Sequence, residues 1–288
     1  VRDLNYQLKT LCEHNKDGSH NTQGNRHQLL QTMANHLFEL GYRRMNVNSL
    51  KPKHVDALIT RYLNEGLAEG TIKNRLSALR WWAEKVGKPN IIAKDNAHYG
   101  VESRVFVTNV SKARDLDCEL LSKITSDYVR MSLELQKAFG LRREEAIKFI
   151  PEYADQGNHI RLKATWCKGG RERTIPIRNE EQREVLNRAR LLAGRGSLIP
   201  SHLMYVDQMR IYERETHKVG LHKMHGLRHR YAQERYHELT GWLAPACGGP
   251  TRDELSEDNK LDDAVARLAI TQELGHGREQ VTAVYLGR

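Results

Sequence analysis

Five short segments carry side chains suited to work on a phosphate. They are Gly140-Leu141-Arg142-Arg143-Glu144-Glu145, Lys168-Gly169-Gly170, His225-Gly226-Leu227-Arg228-His229, Leu274-Gly275-His276, and Tyr285, nine residues after His276. Two guanidinium groups can grip non-bridging phosphate oxygens through paired, charge-assisted hydrogen bonds. A lysine can protonate a leaving oxygen. Imidazole accepts or returns a proton near neutral pH, and a tyrosine hydroxyl can attack and hold a covalent intermediate. Singly, each residue also has an ordinary reading. Arg142 could be a surface arginine, Lys168 a turn lysine, His225 a satisfied core histidine and Tyr285 a core aromatic. Order and spacing make them a set.

That order and spacing resembles the tyrosine recombinase (integrase) family. Its catalytic domain carries an arginine in a GLR-like turn with an acidic residue three positions on. A hairpin lysine follows in a KG-x-(K/R)-x-R-x-x-P run, then H-x-x-R, then L-G-H, then a tyrosine nine residues later. Here GLRREE, KGGRERTIP, HGLRH, LGH and Tyr285 match across roughly residues 110–288. The resemblance implies a site-specific recombinase or integrase of a phage, integrative element or genomic island. It implies cleavage and rejoining of double-stranded DNA through a 3′-phosphotyrosyl intermediate, with no metal and no nucleotide cofactor. Tyr285 is then the nucleophile, and Arg142 and Arg228 clamp the phosphate, the GLR register favouring Arg142 over Arg143. Lys168 is the general acid, His225 exchanges the tyrosine proton and His276 supplies a further donor. Glu145, beside Glu144, orients Arg142 or a histidine. By the same resemblance four protomers gather on synapsed DNA, each a monomer when free, with an accessory excisionase or bending protein as a further partner. Two alternatives stay open: a type IB topoisomerase-like enzyme, which would relax plasmids lacking any site, and an architectural DNA-binding protein without catalysis.

The match departs from the family in three places. Arg228 and His276 lie 48 residues apart, wider than is usual between H-x-x-R and L-G-H. Residues 244–263 account for the excess and read as an acidic surface insertion turned away from phosphates, since TRDELSEDNKLDD carries two basic and six acidic residues. The sequence given stops three residues after Tyr285, short of the tail by which many relatives dock on a neighbouring subunit. No basic arm-binding domain precedes the helical region, which suggests recognition of core sites alone.

The elements that must position these residues are mainly helical. Leu29, Leu30, Met33, Leu37 and Leu40 recur at helical spacing, as do Val55, Leu58, Ile59, Tyr62 and Leu63, and then Ile72, Leu76, Leu79, Trp82 and Val86. Residues 17–25, DGSHNTQGN, read as a loop. Residues 1–95 are therefore expected to form a helical core-type DNA-binding domain. Its third stripe carries Lys73, Arg75 and Arg80, as a solvated polar face or as contacts to DNA phosphates. Residues 96–112 read as a linker and 113–288 as a mixed α+β catalytic domain. Helices are expected near 117–140, 142–150, 180–193, 206–219, 225–238 and 263–275. RLKATW and RTIPI are expected to pair as a hairpin across a Gly-Gly turn. The fold class is mainly α with a small β-hairpin.

Composition agrees with a nucleic-acid partner. Lysine and arginine number 46 against 36 acidic residues, a formal charge of +10 that suits a polyanion. His217, His222, His225 and His229 could be read as a zinc face. The absence of an HExxH motif and of a nearby carboxylate or cysteine partner speaks against it. Four scattered cysteines suggest free thiols in a reducing cytoplasm, where DNA-bound protein would lie with the nucleoid. The opening residues have no apolar run of the secretory kind, and no stretch has the length of a membrane span.

Overall fold

Ser19 starts the first long helix. Its hydroxyl accepts from the Thr22 backbone N–H, so the helix begins at His20 and absorbs the last six residues of the expected 17–25 loop. The cap satisfies an orphan amide, which outweighs the weak helix propensity of Gly24 and the neighbouring asparagines. In this computed structural model, residues 2–102 and 105–288 are described, and the chain divides into two units, Val1–Val105 and Phe106–Arg288.

The first unit is helical: α1 (Asp3–His14), α2 (His20–Glu39), α3 (Pro52–Asn64) and α4 (Glu69–Lys85). The expected stripes meet in one core of Leu30, Met33, Leu37, Leu58, Tyr62, Leu76, Leu79 and Trp82, to which α1 adds Leu4 and Leu8. Leu40 and Leu63, counted in those stripes, stay partly exposed at helix ends. Trp82 donates its indole N–H to the Val47 carbonyl at 2.8 Å. The Arg80 guanidinium holds the Ala93 carbonyl and the Asn96 side chain through Nε and Nη2. Arg75 lies over the Tyr62 ring, 4.1 Å from its centroid.

The expected linker 96–112 is packed at both ends. Val101 joins the core of the first unit. In the second unit Asn109 bonds the backbone of Arg288, Ser111 bonds Gln233, and the Arg114 N–H donates to the Gly226 carbonyl. Ser103 and Arg104 lie outside the described residues.

The second unit contains α5 (Cys118–Ser122), α6 (Asp127–Phe139), α7 (Arg143–Ile147), α8 (Pro151–Ala154), β1 (His159–Leu162) and β2 (Arg173–Pro176). It continues with α9 (Glu180–Ala193), α10 (Tyr205–Lys218), α11 (Gly226–Thr240), α12 (Glu257–Glu273) and α13 (Glu279–Leu286). The strands pair antiparallel, Leu162 opposite Arg173 and His159 opposite Pro176. The hairpin therefore uses RTIP as expected but HIRL in place of RLKATW. Ala164–Trp166 instead forms a 3-10 turn. Trp166 is buried there against the rings of Phe149 and Tyr153, and that packing takes KATW out of the sheet.

Residues 244–263 are not a uniform insertion. Ser256 caps α12, so Glu257 onward is helical, and buried Asp263 accepts from Tyr236 and Arg267. Pro245 and Ala246 are buried as well. Among the described residues no helix is long and apolar enough to cross a membrane.

α6 ends at Gly140, which adopts φ +60°. A Cβ at Gly140 would meet the Tyr231 ring at 2.6 Å. Gly140→Ala is expected to cost about 2–4 kcal/mol, combining left-handed strain with overpacking. Denaturant unfolding checks this, and an unchanged midpoint would refute it.

Candidate active site

The turn after Gly140 sets Arg142 at the head of α7. Glu145, one turn on, reaches back to accept from the Arg142 backbone N–H at 2.7 Å and from Nη1 at 2.8 Å. Glu145 is fully buried and also takes two hydrogen bonds from Arg173, at 2.8 and 2.7 Å. Burial alone would raise its carboxyl. The hydrogen bonds and charge of Arg173, with the charges of Arg228 and Arg142, outweigh burial and hold it at about 2.

His225 occupies the N-cap position of α11, three residues before Arg228 in its first turn. Arg228 is completely buried. Nη1 donates to the Gly140 carbonyl at 2.6 Å, and Nη2 donates to the Leu274 carbonyl and to His276 Nε2, the latter at 3.4 Å. Nε has no partner among the described residues. Burial, with repulsion from Arg142 and Arg173, lowers the guanidinium to about 10, so it stays charged at neutral pH.

His276 follows α12. Its Nδ1 lies 2.9 Å from the Thr282 hydroxyl, which lies 2.7 Å from that of Thr271. Arginine only donates, so Nε2 accepts from Arg228 and Nδ1 carries the proton. In this arrangement His276 orients Arg228. Burial and the adjacent arginines push His276 down to about 3.

Tyr285 projects from α13 into this cluster and is 7% exposed. Its hydroxyl is 3.0 Å from His225 Nε2. Burial, and then Arg228 and Arg142, keep His225 below the usual histidine range. A neutral imidazole there can accept the phenolic proton. The Tyr285 carbonyl accepts from Gln233 at 2.9 Å, the Gly287 carbonyl accepts from Arg267 at 2.9 Å, and Asn109 brackets the Arg288 backbone. These contacts hold Tyr285 beside the histidine of its own chain.

The structure thus brings together Arg142, Glu145, His225, Arg228, His276 and Tyr285. Lys168 stands apart, exposed in the ten-residue loop between β1 and β2, with no hydrogen bond or ion pair among the described residues. Lys73, Arg75 and Arg80 belong to the other unit. No group of three or more metal-ligating side chains is found among the described residues. Of the four histidines weighed as a zinc face, His225 and His229 face Tyr285, and His217 pairs edge-on with His222.

Comparison with known proteins agrees with this geometry. The family model for the phage integrase N-terminal domain matches residues 1–92, and the integrase model matches residues 104–234. The chain belongs to the tyrosine recombinase family. No curated protein matches this recombinase by sequence. Solved structures share its fold. A lambda integrase dimer bound to a COC′ core site aligns at 15% identity, covering 98% of this chain and 94% of that one with a TM-score of 0.64. The XerH site-specific recombinase bound to difH aligns at 17%, covering 98% and 80% with a TM-score of 0.57. The Tn1549 transposon integrase in complex with circular intermediate DNA aligns at 16%, covering 100% and 96% with a TM-score of 0.58.

Two side chains of the recombinase site lie within the quoted motifs but are assigned no role there. His229 is 6% exposed and stacks on Tyr285, with centroids 4.3 Å apart and planes inclined by 30°. Burial, then His225, Lys112 and Arg228, lower it to about 4, so it supports the ring as a neutral plate. Arg173 lies inside the KGGRERTIP run, and its position in the family pattern was the available signal.

Proposed function

We propose that this recombinase cuts and rejoins duplex DNA at a specific site through a covalent link to Tyr285. The observation that carries the reading is the 3.0 Å contact between the Tyr285 hydroxyl and His225, set in a buried cluster of arginines. The Tyr285 oxygen attacks phosphorus as His225 takes its proton. The P–O5′ bond breaks, and Lys168, from its exposed loop, protonates the departing oxygen. Arg142 and Arg228 stabilise the charge that grows on the non-bridging oxygens. The unpartnered Arg228 Nε is a donor suited to one of them, since an orphan buried donor calls for a partner. The Arg228 guanidinium lies against the Tyr285 ring, 5.9 Å from its centroid. Attack by another strand's 5′-hydroxyl then reverses the step, so no external energy source is needed.

The DNA-bound state of the structural neighbours supports duplex DNA as the substrate, and a lambda integrase tetramer on a Holliday junction supports four protomers around two duplexes. In the N-terminal unit, α2 and α4 border a groove lined by Asn25, Gln28, Thr32, Asn74, Arg75 and Ser77. Side-chain amides of this kind can read base edges. Lys73 on α4 remains available for phosphates.

The test uses nicked duplexes tiled across the DNA that flanks the coding sequence. Wild type is expected to form a covalent protein–DNA adduct on one of them, resistant to denaturation. Tyr285→Phe should form none while binding the same duplex as tightly. An equal adduct yield from Tyr285→Phe would remove Tyr285 from the nucleophile's role.

A further inference from the structure

Arg173 opens β2 with only 8% of its surface exposed, and its guanidinium joins three of the motif segments. Nη1 and Nη2 hold Glu145 in the GLRREE turn, Nε donates to the Glu273 carbonyl at 2.8 Å just before LGH, and Nη1 reaches Cys167 Sγ at 3.3 Å, one residue before Lys168. Gly275 is shaped around it: a Cβ there would meet Arg173 Cδ at 2.8 Å. Glu145 lies among three arginines, with closest N–O distances of 2.8 Å to Arg142, 2.7 Å to Arg173 and 4.0 Å to Arg228. Three positive charges against one negative leave a surplus of two. Without Arg173 the surplus is one, and Glu145 would draw on Arg142 and Arg228 for its hydrogen bonds.

We propose that Arg173 is a positioning residue for strand cleavage, which satisfies Glu145 so that Arg142 and Arg228 keep their charge and geometry for the DNA phosphate, and which fixes the foot of the Lys168 loop through Cys167. This rests on the recombinase reading of the site above. All three guanidinium nitrogens of Arg173 are already bonded within the protein, so its loss should act on the chemical step and leave binding alone. A buried carboxylate that has lost one partner and pulls on the remaining arginines is the damaging state. Removing both partners should therefore be milder than removing one.

The experiment compares wild type, Tyr285→Phe, Arg173→Met, Glu145→Gln and the double variant on the same nicked flanking duplexes. Site affinity and single-turnover adduct formation are measured under conditions where each protein gives a cooperative unfolding transition. Arg173→Met is expected to lower adduct formation by about 100-fold, the scale of losing one preorganised donor, with affinity within about threefold. Adding Glu145→Gln to it should recover about tenfold, as expected for coupled neighbours. A merely structural role would scale with the folded fraction and show no such recovery among folded proteins. Should Arg173→Met fail to fold, the double variant carries the test, being expected to fold and to cleave faster than Glu145→Gln alone. Arg173→Met cleaving like wild type, or a folded, DNA-binding double variant no faster than either single, overturns the proposal. A wild type that forms no adduct, or a Tyr285→Phe variant that forms one, overturns the underlying reading instead.

Discussion

Arg228→Ala is expected to abolish adduct formation and to destabilise the fold by about 3–5 kcal/mol, the scale of breaking a buried charged network. Arg142→Ala should abolish cleavage at far smaller cost. The difference follows from where the two guanidiniums lie. Arg228 is wholly buried, and its truncation orphans the carbonyls of Gly140 and Leu274, which end α6 and α12. A buried acceptor left unpaired costs about 1–3 kcal/mol. The Arg142 side chain is 22% exposed and among the described residues pairs only with Glu145, which Arg173 still satisfies after the loss. Unfolding in urea and adduct yield on nicked DNA, measured on both variants, separate the two effects. Equal destabilisation by both substitutions would contradict the distinction. Mixing Arg142→Ala with Tyr285→Phe adds a second reading. Because Tyr285 rests against the His225 of its own chain, the mixture should form no adduct. Adduct formation would show that one protomer lends its tyrosine to another.

Much of the candidate site was legible because the spacing within each motif is a local property. His225 and Arg228 stand three residues apart at the start of α11, and Glu145 stands one turn from Arg142, so sequence distance translates directly into proximity. Tyr285 needed only its interval from His276. The supporting contacts are of another kind. Arg173 meets Glu273 across 100 residues, Gln233 meets the Tyr285 carbonyl across 52, and Asn109 meets Arg288 across 179. No periodicity encodes such meetings. His229 was visible as a histidine, but its stack on Tyr285 depends on how α13 packs on α11. The misplaced first strand has a similar cause. β-branched and aromatic content favours RLKATW as a strand, and tertiary burial of Trp166 overrides it. Arg80, a basic residue on a basic helix, also buttresses the Ala93 carbonyl, a contact no charge pattern reveals.

Acid should unfold this protein well before its carboxylates alone would dictate. In the folded state three imidazoles crowd around Tyr285, and all are pushed toward the neutral form. His225 faces Arg228, Arg142 and Glu145. His229, at about 4, faces His225, Lys112 and Arg228, and His276, at about 3, faces Arg228, Arg142, Arg173 and His225. In the unfolded chain each returns to about 6.5. Between pH 6.5 and about 3 the unfolded state therefore binds more protons than the folded state, and stability falls as pH falls. Glu145 adds in the same direction: its stabilisation is full above about 4.5 and is lost on the way down to about 2. His36 and His54 in the N-terminal unit are lowered by burial too, so the total slope does not belong to the active site alone. His229→Phe isolates the local share. It keeps the stack under Tyr285 and discards no hydrogen bond, since His229 Nδ1 has no partner among the described residues. Urea midpoints at pH 7.5, 5.5 and 4.5 should fall less steeply for His229→Phe than for wild type, with little difference at pH 7.5. Parallel lines would mean that His229 is as easily protonated in the fold as out of it. Cleavage itself should decline toward acid pH with a midpoint below that of an ordinary histidine, because burial, Arg228 and Arg142 hold His225 toward the neutral form that must take the proton of Tyr285.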